Sequence, residues 1–324
     1  MVDLEGAPRI LITTALDEDH LDTILGTYPD IEFRARIDRE SAVEDDFSPH
    51  ILLCDRLSAE DLERYPDLKW IQIRSAGVDH LPLDMIERRG IQLTNGKGAH
   101  GIPVAETALA MMFAFASGLP ALVRAADRRD WIGRTVARSR FELDGQTLLV
   151  IGLGDLGATL ARKARGLGMR VLGCDREPKP DLKALQGFVT VDQLDQALPQ
   201  AHHVALCLPL TEDTQGIMSA DRINRMRVGA YFYNVGRGLT VDHMALAAAL
   251  TNGRLAGAGL DVTDPEPIPQ DHPLWTLPNV LLTQHVGGAS PYNAERITDL
   301  FTQNLHRFLQ GVQLLNLVDP RRGY

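Results

Sequence analysis

The sequence predicts an α/β protein built from two doubly wound parallel-sheet domains, and three observations predict this class. Short apolar runs alternate with amphipathic stretches before residue 95, and a second alternating series begins near Gln146. Strand–helix alternation of this kind is typical of parallel sheets covered by helices. The length of 324 residues also favours two domains, since a domain takes roughly 150 residues.

The first series predicts five strands with helices between them. The strands are expected at residues 9–13, 31–33, 51–54, 70–73 and 91–94, and the helices at 19–25, 58–64 and 83–89. After this series, residues 107–123 carry no charge. The run is shorter than a membrane span of roughly 20 apolar residues and contains Ser117, Gly118 and Pro120 near its end. It therefore predicts a helix buried in a core or a subunit contact.

The second series predicts six strands, which is the inventory of a doubly wound dinucleotide domain. The strands are expected at 147–151, 170–174, 203–208, 230–235, 256–260 and 280–283, and the helices at 156–167, 192–198, 219–226 and 242–250. Ser290 and Pro291 then predict an N-cap with proline at the first helical position. In the helix that follows, Ile297, Phe301 and Leu305 form one apolar stripe.

Composition excludes several classes of partner. The formal net charge of −10 argues against nucleic acid or an anionic membrane, since both attract basic surfaces. The three cysteines form no C-x-x-C pair, which favours reduced thiols in the cytoplasm. Asp3 and Glu5 stand where a signal peptide would carry basic residues, so we expect no secretion signal.

A glycine-rich turn lies in the middle of the chain, between the strand at 147–151 and the helix at 156–167. In the G-x-G-x-x-G pattern, Gly152 would allow a tight turn and Gly154 would let backbone N–H groups approach a pyrophosphate. Gly157 would let the helix lie close to the strand. A plain glycine-rich turn is the alternative interpretation.

Asp175 follows the next predicted strand, at the place where an acid accepts hydrogen bonds from a ribose hydroxyl. An acid there repels a 2′-phosphate, so the sequence favours NAD over NADP. Arg176 and Lys179 lie close by and weaken this preference without reversing it. NADP is therefore not excluded.

Three functional groups each follow a strand of the second series, where a doubly wound sheet places its ligand site. They are Arg237, Glu266 and His285. Histidine suits the proton donor that reduction of a ketone requires, and a neighbouring carboxylate would hold the imidazole. A planar guanidinium can bind the carboxylate and carbonyl oxygens of a 2-keto acid together. Singly, each residue could instead be a loop or turn residue.

The domain order follows from the central position of the glycine-rich turn. About one hundred residues precede it and a helix follows the last strand, so both termini are expected to build one domain around the other. We expect a substrate-binding domain at residues 1–98 plus 290–324 and a dinucleotide-binding domain at 99–289.

Ordered motifs along nearly the whole chain carry a family resemblance. They are Ser75-Ala76-Gly77-Val78-Asp79, Val104-Ala105-Glu106, Gly152–Gly157, Leu208-Pro209-Leu210-Thr211, Asn234–Gly238, Gly259–Pro267, His272-Pro273-Leu274-Trp275 and Gln284-His285-Val286-Gly287-Gly288. With these motifs the chain resembles the D-isomer-specific 2-hydroxyacid dehydrogenases. The resemblance implies a Rossmann cofactor domain inserted into a flavodoxin-like substrate domain.

The resemblance also implies roles for individual residues. Arg237 would orient the substrate, His285 would be the acid/base and Glu266 its partner, while the N–H groups of Ala76 and Gly77 would receive the substrate carboxylate across an interdomain cleft. Further residues would bind the dinucleotide, and Asp261 among them would bond the nicotinamide carboxamide. The complete implied cofactor set is Gly152, Gly154, Asp155, Leu156, Gly157, Asp175, Cys207, Pro209, Val235, Gly236 and Asp261. The resemblance implies no metal site. It implies a homodimer formed through the helix region 102–118.

The chain departs from the family pattern at two places. Gln284 replaces the proline common before the catalytic histidine, which should change loop stiffness more than chemistry. His202 and His203 stand where the family usually has a small residue and an acid. Adjacent residues of a strand point to opposite faces, so we expect both histidines to be structural rather than metal ligands.

Five further residues could contribute to substrate binding or to subunit packing. Arg74, Lys97 and His100 could hold a second anionic group of the substrate, although a glycine-rich stretch such as 95–101 also suits a solvated hinge. Trp131 and Trp275 are expected to serve subunit packing.

The expected activity is NAD(P)-dependent interconversion of 2-keto acids and D-2-hydroxy acids, of the glyoxylate or hydroxypyruvate type. A phosphite dehydrogenase or a small-form phosphoglycerate dehydrogenase stays an alternative, whereas formate dehydrogenases of this fold carry glutamine at the position of Glu266. A dinucleotide-sensing, corepressor-like scaffold is the alternative from another class. Consumption of NADH against a panel of 2-keto acids would discriminate between these readings.

Overall fold

The computed structural model describes residues 7–14, 16, 18–35 and 47–324, so Asp3 and Glu5 lie outside the described residues. It forms two compact units. We call Met1–His100 with Ser290–Tyr324 the terminal unit, and Gly101–Ala289 the central unit.

The terminal unit contains a parallel sheet, and its five described strands have the order β2-β1-β3-β4-β5. This is the flavodoxin-like order, which confirms the prediction. Ser58 caps α2 because its hydroxyl accepts from the N–H of Asp61 at 3.1 Å while Asp61 accepts from the N–H of Ser58 at 2.9 Å. The elements are β1 (Arg9–Ile12), α1 (Glu18–Thr27), β2 (Glu32–Ala35), β3 (Ile51–Cys54), α2 (Ala59–Arg64), β4 (Trp70–Ile73), α3 (Leu83–Arg88) and β5 (Gln92–Thr94).

The central unit contains three helices followed by a second alternating series. Its elements are α4 (Gly101–Ser117), α5 (Leu119–Asp127), α6 (Gly133–Ala137), β6 (Thr147–Ile151), α7 (Asp155–Gly166), β7 (Arg170–Cys174), β8 (Gly187–Val189), α8 (Leu194–Ala197), β9 (His203–Leu206), α9 (Ala220–Arg225), β10 (Ala230–Asn234), α10 (His243–Thr251), β11 (Leu255–Leu260) and β12 (Val280–Leu282). Short 3₁₀ helices lie at Val191–Gln193, Leu198–Gln200, Gly238–Thr240 and Pro273–Trp275.

The seven strands described in this unit are all parallel, in the order β12-β11-β10-β9-β6-β7-β8. The order reverses between β6 and β9, which is the switch point of a Rossmann sheet. The six predicted strands are confirmed, but the prediction missed β8. That strand has three half-buried residues at a sheet edge, too few for a visible apolar run.

Helix α4 buries one side, with Ala105, Ala108 and Met112 inside the unit, while Phe113 remains 47% exposed. Gly118 adopts a φ of +68° and separates α4 from α5. No single described helix is long and apolar enough to cross a membrane. The pair α4 and α5 meets the length and composition requirements together, across a bend of 71°.

The chain returns to the terminal unit with α11 (Asn293–Leu309). The expected N-cap at Ser290 is wrong, because the helix begins three residues later. The Ser290 carbonyl accepts from the N–H of Asn293 at 3.2 Å, so Ser290 and Pro291 form a turn ahead of the helix. The predicted stripe is confirmed, since Ile297, Phe301 and Leu305 are fully buried.

Candidate active site

The glycine-rich turn after β6 requires glycine at two positions. Gly152 has a φ of +91°, and a Cβ there would lie 2.8 Å from the Cys207 carbonyl oxygen. A Cβ on Gly157 would overlap the carbonyl oxygen of Gly152. The first glycine therefore allows the turn and the second brings α7 against it.

The N-terminus of α7 is open at Gly154, which is exposed and where a Cβ would meet nothing within 4 Å. The carboxylate of Asp155 lies against Gly101 at the start of α4, and Leu156 is half-buried. An accessible turn of backbone N–H groups at the positive end of a helix suits a diphosphate. These residues therefore fit the pyrophosphate of a dinucleotide.

Asp175 lies beside this turn, directly after β7. Its Oδ2 accepts from the N–H of Leu153 at 2.8 Å and its Oδ1 from the N–H of Arg176 at 2.7 Å. The Arg176 guanidinium lies 4.0 Å from Asp213, and Lys179 is exposed. The carboxylate is thus held at the glycine turn by backbone groups, where it can also accept from a ribose hydroxyl.

The other expected cofactor residues lie at the same carboxyl edge of the sheet. Cys207 and Pro209 follow β9, and Val235 and Gly236 follow β10. Burial raises the pKa of the Cys207 thiol to about 12, so this thiol stays protonated at neutral pH. Any contribution of Cys207 to cofactor binding would come from its backbone and its packing.

His285 and Glu266 form a close pair within the central unit. The Nδ1 of His285 lies 2.7 Å from Oε2 of Glu266, and Oε1 of Glu266 accepts from the N–H of Thr263 at 3.0 Å. Both side chains are partly exposed. Because the carboxylate engages Nδ1, Nε2 is the ring nitrogen available for proton transfer to a ligand.

Asp261 holds the loop that carries His285. The carbonyl of Asp261 accepts from the N–H of His285 at 2.6 Å, and its buried carboxylate accepts from the Thr283 hydroxyl at 2.6 Å and from the N–H groups of Val286 and Gly287 at 3.2 and 3.0 Å. Sequence reasoning missed this anchoring role. A buried aspartate after a strand, followed by a glycine pair beyond the next strand, is the signal that could have found it.

The loop that carries Arg237 packs closely against the backbone at Leu208 and at Thr263. A Cβ on Gly236 would lie 2.5 Å from the Leu208 carbonyl oxygen, and one on Gly238 would overlap the backbone of Thr263. The guanidinium donates to the Gly236 carbonyl at 2.9 Å. These approaches place the loops that carry Arg237 and Glu266 side by side.

Asn234 closes this loop and was not predicted to do so. It is fully buried, its amide nitrogen donates to the carbonyl of Arg237 at 2.9 Å, and its oxygen accepts from the N–H of Gly236 at 3.0 Å. Both ends of the amide are satisfied, so the side chain fixes the path of the backbone through Arg237.

Ala76 and Gly77 lie in a turn of the terminal unit. The Ser75 hydroxyl donates to the Gly77 carbonyl at 2.7 Å, and the Asn95 amide donates to the Ala76 carbonyl at 2.8 Å. Both carbonyls are thereby engaged from within the unit. Ala76 is exposed, which leaves this turn accessible to solvent.

The basic residues near this turn differ in their contacts. Arg74 lies 3.7 Å from Asp55 and donates to the Thr14 hydroxyl at 3.2 Å. His100 lies 3.1 Å from the Arg74 carbonyl and 3.2 Å from the Asn293 amide, so it links the two chain segments of the terminal unit. Lys97 is exposed.

His202 and His203 take part in different structural contacts. The Nδ1 of His202 accepts from the N–H of Thr147 at 3.1 Å. His203 is fully buried, 3.1 Å from the Tyr233 hydroxyl and 2.8 Å from Oε1 of Gln146. Across the described ranges, no group of three or more histidine, cysteine or acidic side chains is arranged to hold a metal ion.

One family model and several known proteins are similar to this chain. Residues 109–287 match the family described as "D-isomer specific 2-hydroxyacid dehydrogenase, NAD binding domain". A glyoxylate reductase of Korarchaeum cryptofilum is 34% identical over 270 residues, which cover 83% of this chain and 81% of that protein.

Solved structures extend the similarity to nearly the whole chain. A D-isomer specific 2-hydroxyacid dehydrogenase of Xanthobacter autotrophicus, in complex with NADPH and MES, is 31% identical with a TM-score of 0.82 and covers 98% of this chain and 100% of that one. The apo D-mandelate dehydrogenase of Rhodotorula graminis is 26% identical with a TM-score of 0.84, covering 97% and 98% of the two chains.

Proposed function

Because the chain belongs to the D-isomer specific 2-hydroxyacid dehydrogenases, which are NAD(P)-dependent oxidoreductases of 2-keto and 2-hydroxy acids, we propose that it performs this reaction with Arg237, Glu266 and His285. The observation that carries the proposal is the contact of 2.7 Å between Nδ1 of His285 and Oε2 of Glu266. A bound dinucleotide supplies the hydride.

His285 is the general acid in the direction of reduction. Its Nε2 gives a proton to the carbonyl oxygen as that oxygen becomes an alkoxide, and Glu266 stabilises the protonated imidazole and fixes its orientation. The Thr263 N–H holds the other carboxylate oxygen, so Glu266 stays in place while the proton moves. In the oxidative direction the same Nε2 accepts the proton.

Arg237 orients the substrate. Its planar guanidinium can bind one carboxylate oxygen and the carbonyl oxygen of a 2-keto acid at the same time, which a point charge does less well. The Asn234 amide and the close approach of Gly236 and Gly238 to their neighbours fix the position of the loop. We further propose that the N–H groups of Ala76 and Gly77 receive the substrate carboxylate.

The substrates to test first are glyoxylate and hydroxypyruvate, and the D-2-hydroxy acid is the expected product. Relatives are named for glyoxylate and for mandelate, so the group beyond the keto acid varies among similar proteins. NAD is the preferred cofactor in this proposal. The fixed carboxylate of Asp175 supports that preference, because it would repel a 2′-phosphate.

The test measures NADH oxidation against a panel of 2-keto acids for the wild type and for His285→Ala. The variant should lose about 10²-fold or more in turnover, the usual scale of general acid catalysis, while its affinity for NADH stays unchanged. His306→Ala, at an exposed position of α11, is the matched control and should keep wild-type turnover.

Two outcomes would contradict the proposal. Unchanged turnover of His285→Ala would remove the assigned acid. A panel without any turnover, together with tight NADH binding, would instead favour a dinucleotide-sensing scaffold.

We also propose that the enzyme is a homodimer, formed through the helix region 102–118 and the segment after it. Apolar side chains there are exposed in the single chain, and one tryptophan is almost completely so, which is typical of a surface covered by a partner. They are Ile102, Phe113, Leu119, Val123 and, at 99% exposure, Trp131. Light scattering should give twice the chain mass of 35.7 kDa, and a particle of that single mass would contradict the proposal.

We place the enzyme in the cytoplasm. Cys54, Cys174 and Cys207 are all free and buried, as expected for a protein kept in a reducing compartment. Fractionation of the source cells tests this placement, and recovery from a secreted fraction would contradict it.

A further inference from the structure

A cavity of about 380 Å³ lies in the central unit, beneath the connection from β11 to β12. One part of its lining is the candidate catalytic pair, Glu266 and His285. Ligand pockets typically measure roughly 300–1,000 Å³ and are mostly apolar with a few polar groups. The cavity is therefore large enough to hold part of a ligand, and it begins at the reacting groups.

Its walls away from that pair are mostly apolar, and Asp261, Thr263 and Gln284 add polar groups to the lining. Leu260 of β11 and Leu282 of β12 form the side toward the sheet, and Pro267, Ile268 and Trp275 of the connection form the opposite side. Leu260 and Ile268 are buried against the core, so these walls are supported from behind. An apolar group placed here would exchange water for carbon contacts on both sides.

Trp275 is held in place although much of it is exposed. Its indole N–H donates to the Pro269 carbonyl at 2.9 Å, and the side chain remains 43% exposed. The hydrogen bond satisfies the polar edge of the ring and leaves its carbon surface for packing. An anchored, exposed indole beside the catalytic pair is a better binding surface than a mobile side chain, because little rotamer entropy is lost on contact.

Glyoxylate would leave such a cavity empty, since its keto carbon carries only hydrogen beyond the carboxylate. We propose that the cavity receives an apolar substituent on the keto carbon, so that the preferred substrates are 2-keto acids with an extended aliphatic or aromatic side chain. This inference rests on the proposed function, because it requires the carbonyl oxygen to meet His285.

The experiment measures kcat/KM at saturating NADH for the straight-chain series glyoxylate, pyruvate, 2-oxobutanoate, 2-oxopentanoate and 2-oxohexanoate. Burial of each methylene should raise kcat/KM about fourfold until the cavity is filled. A flat or falling series with measurable turnover overturns the inference and leaves the proposed function intact. Absence of turnover with every member of the series removes both.

Variants locate the effect in the cavity. Ile268→Trp fills it and should abolish the rise with chain length, and Leu282→Phe should do the same at a half-buried position if the first variant fails to fold. Val228→Trp, at an exposed position outside the cavity, is the matched control and should keep the wild-type series. A wild-type rise with chain length in folded Ile268→Trp or Leu282→Phe would show that the substituent binds elsewhere and would overturn the inference.

Discussion

His203 is expected to make the central unit sensitive to acid. The imidazole is fully buried, bonded to the Tyr233 hydroxyl and to Gln146, and stacked on the ring of Tyr231 at a centroid distance of 5.4 Å. Burial lowers the pKa of His203 from 6.5 to about 3, and the neighbouring His202 adds to the shift. The folded protein therefore excludes a proton that the unfolded chain binds.

The size and sign of the effect follow from this difference. Above pH 6.5 the histidine is neutral in both states and costs nothing. As the pH falls below 6.5, only the unfolded state gains the proton, so stability is lost by about 1.4 kcal/mol per pH unit until the folded pKa of about 3 is reached. At pH 5 the loss is about 2 kcal/mol, a large part of the stability of a typical domain.

Urea unfolding followed by circular dichroism between pH 8 and pH 5 measures this loss. His203→Phe keeps a flat ring in the aromatic cluster but cannot be protonated. Its free energy of unfolding should be lower than that of the wild type at pH 8 and should fall by about 2 kcal/mol less on going to pH 5. His306→Gln, at an exposed position, should behave as the wild type. Equal pH dependence of the wild type and His203→Phe would refute the reasoning.

Four further predictions concern the site. Arg237→Lys should lower kcat/KM for 2-keto acids by about 10- to 100-fold in steady-state assays, because the planar pair of hydrogen bonds is lost. Asp175→Asn should shift the ratio of kcat/KM for NADH over NADPH toward NADPH by about tenfold, because it removes one charge opposite a 2′-phosphate. Gly238→Ala should lower kcat/KM at least about tenfold, because its Cβ overlaps the neighbouring loop; Gly133→Ala, with open space at Cβ, should not. Gln284→Gly should raise the free energy of unfolding by about 1 kcal/mol, since Gln284 has a φ of +55°.

Most of the fold could be predicted because it depends on local patterns. Strands such as 51–54, 70–73 and 147–151 consist mainly of apolar residues, and the structure gives them the predicted bounds. The misses arise where local patterns are weak or compete. Strand β8 is too short to show a period of alternating residues. Ser290 lies in a turn rather than at the expected N-cap, because the helix begins only at Asn293.

The residues of the candidate site could be named from the sequence, but not the contacts that support them. Arg237, Glu266 and His285 are visible because parallel strands bring their carboxyl ends to one edge. The contributions of Asn234 and Asp261 depend on which backbone N–H and carbonyl groups come within reach after folding. The glycine pair beyond the next strand is a signal for Asp261, whereas no spacing in the sequence encodes the contacts of Asn234. Gln284 is a further example of a feature that the sequence did not reveal. Its φ of +55° is one that proline cannot adopt. The replacement of proline by Gln284 therefore changes the path of the backbone as well as the stiffness of the loop.

These supports explain how the site can be ready before a ligand arrives. The Glu266 carboxylate is held by a backbone N–H, the His285 loop by the buried carboxylate of Asp261, and the Arg237 loop by the Asn234 amide. Each functional side chain thus depends on a partner that lies in a strand of the sheet or shortly after one. Little reorganisation of the site therefore remains to be done when a ligand binds. Substitutions at Asn234 and Asp261 should therefore act on catalysis through geometry, without removing any group that touches the substrate carbonyl.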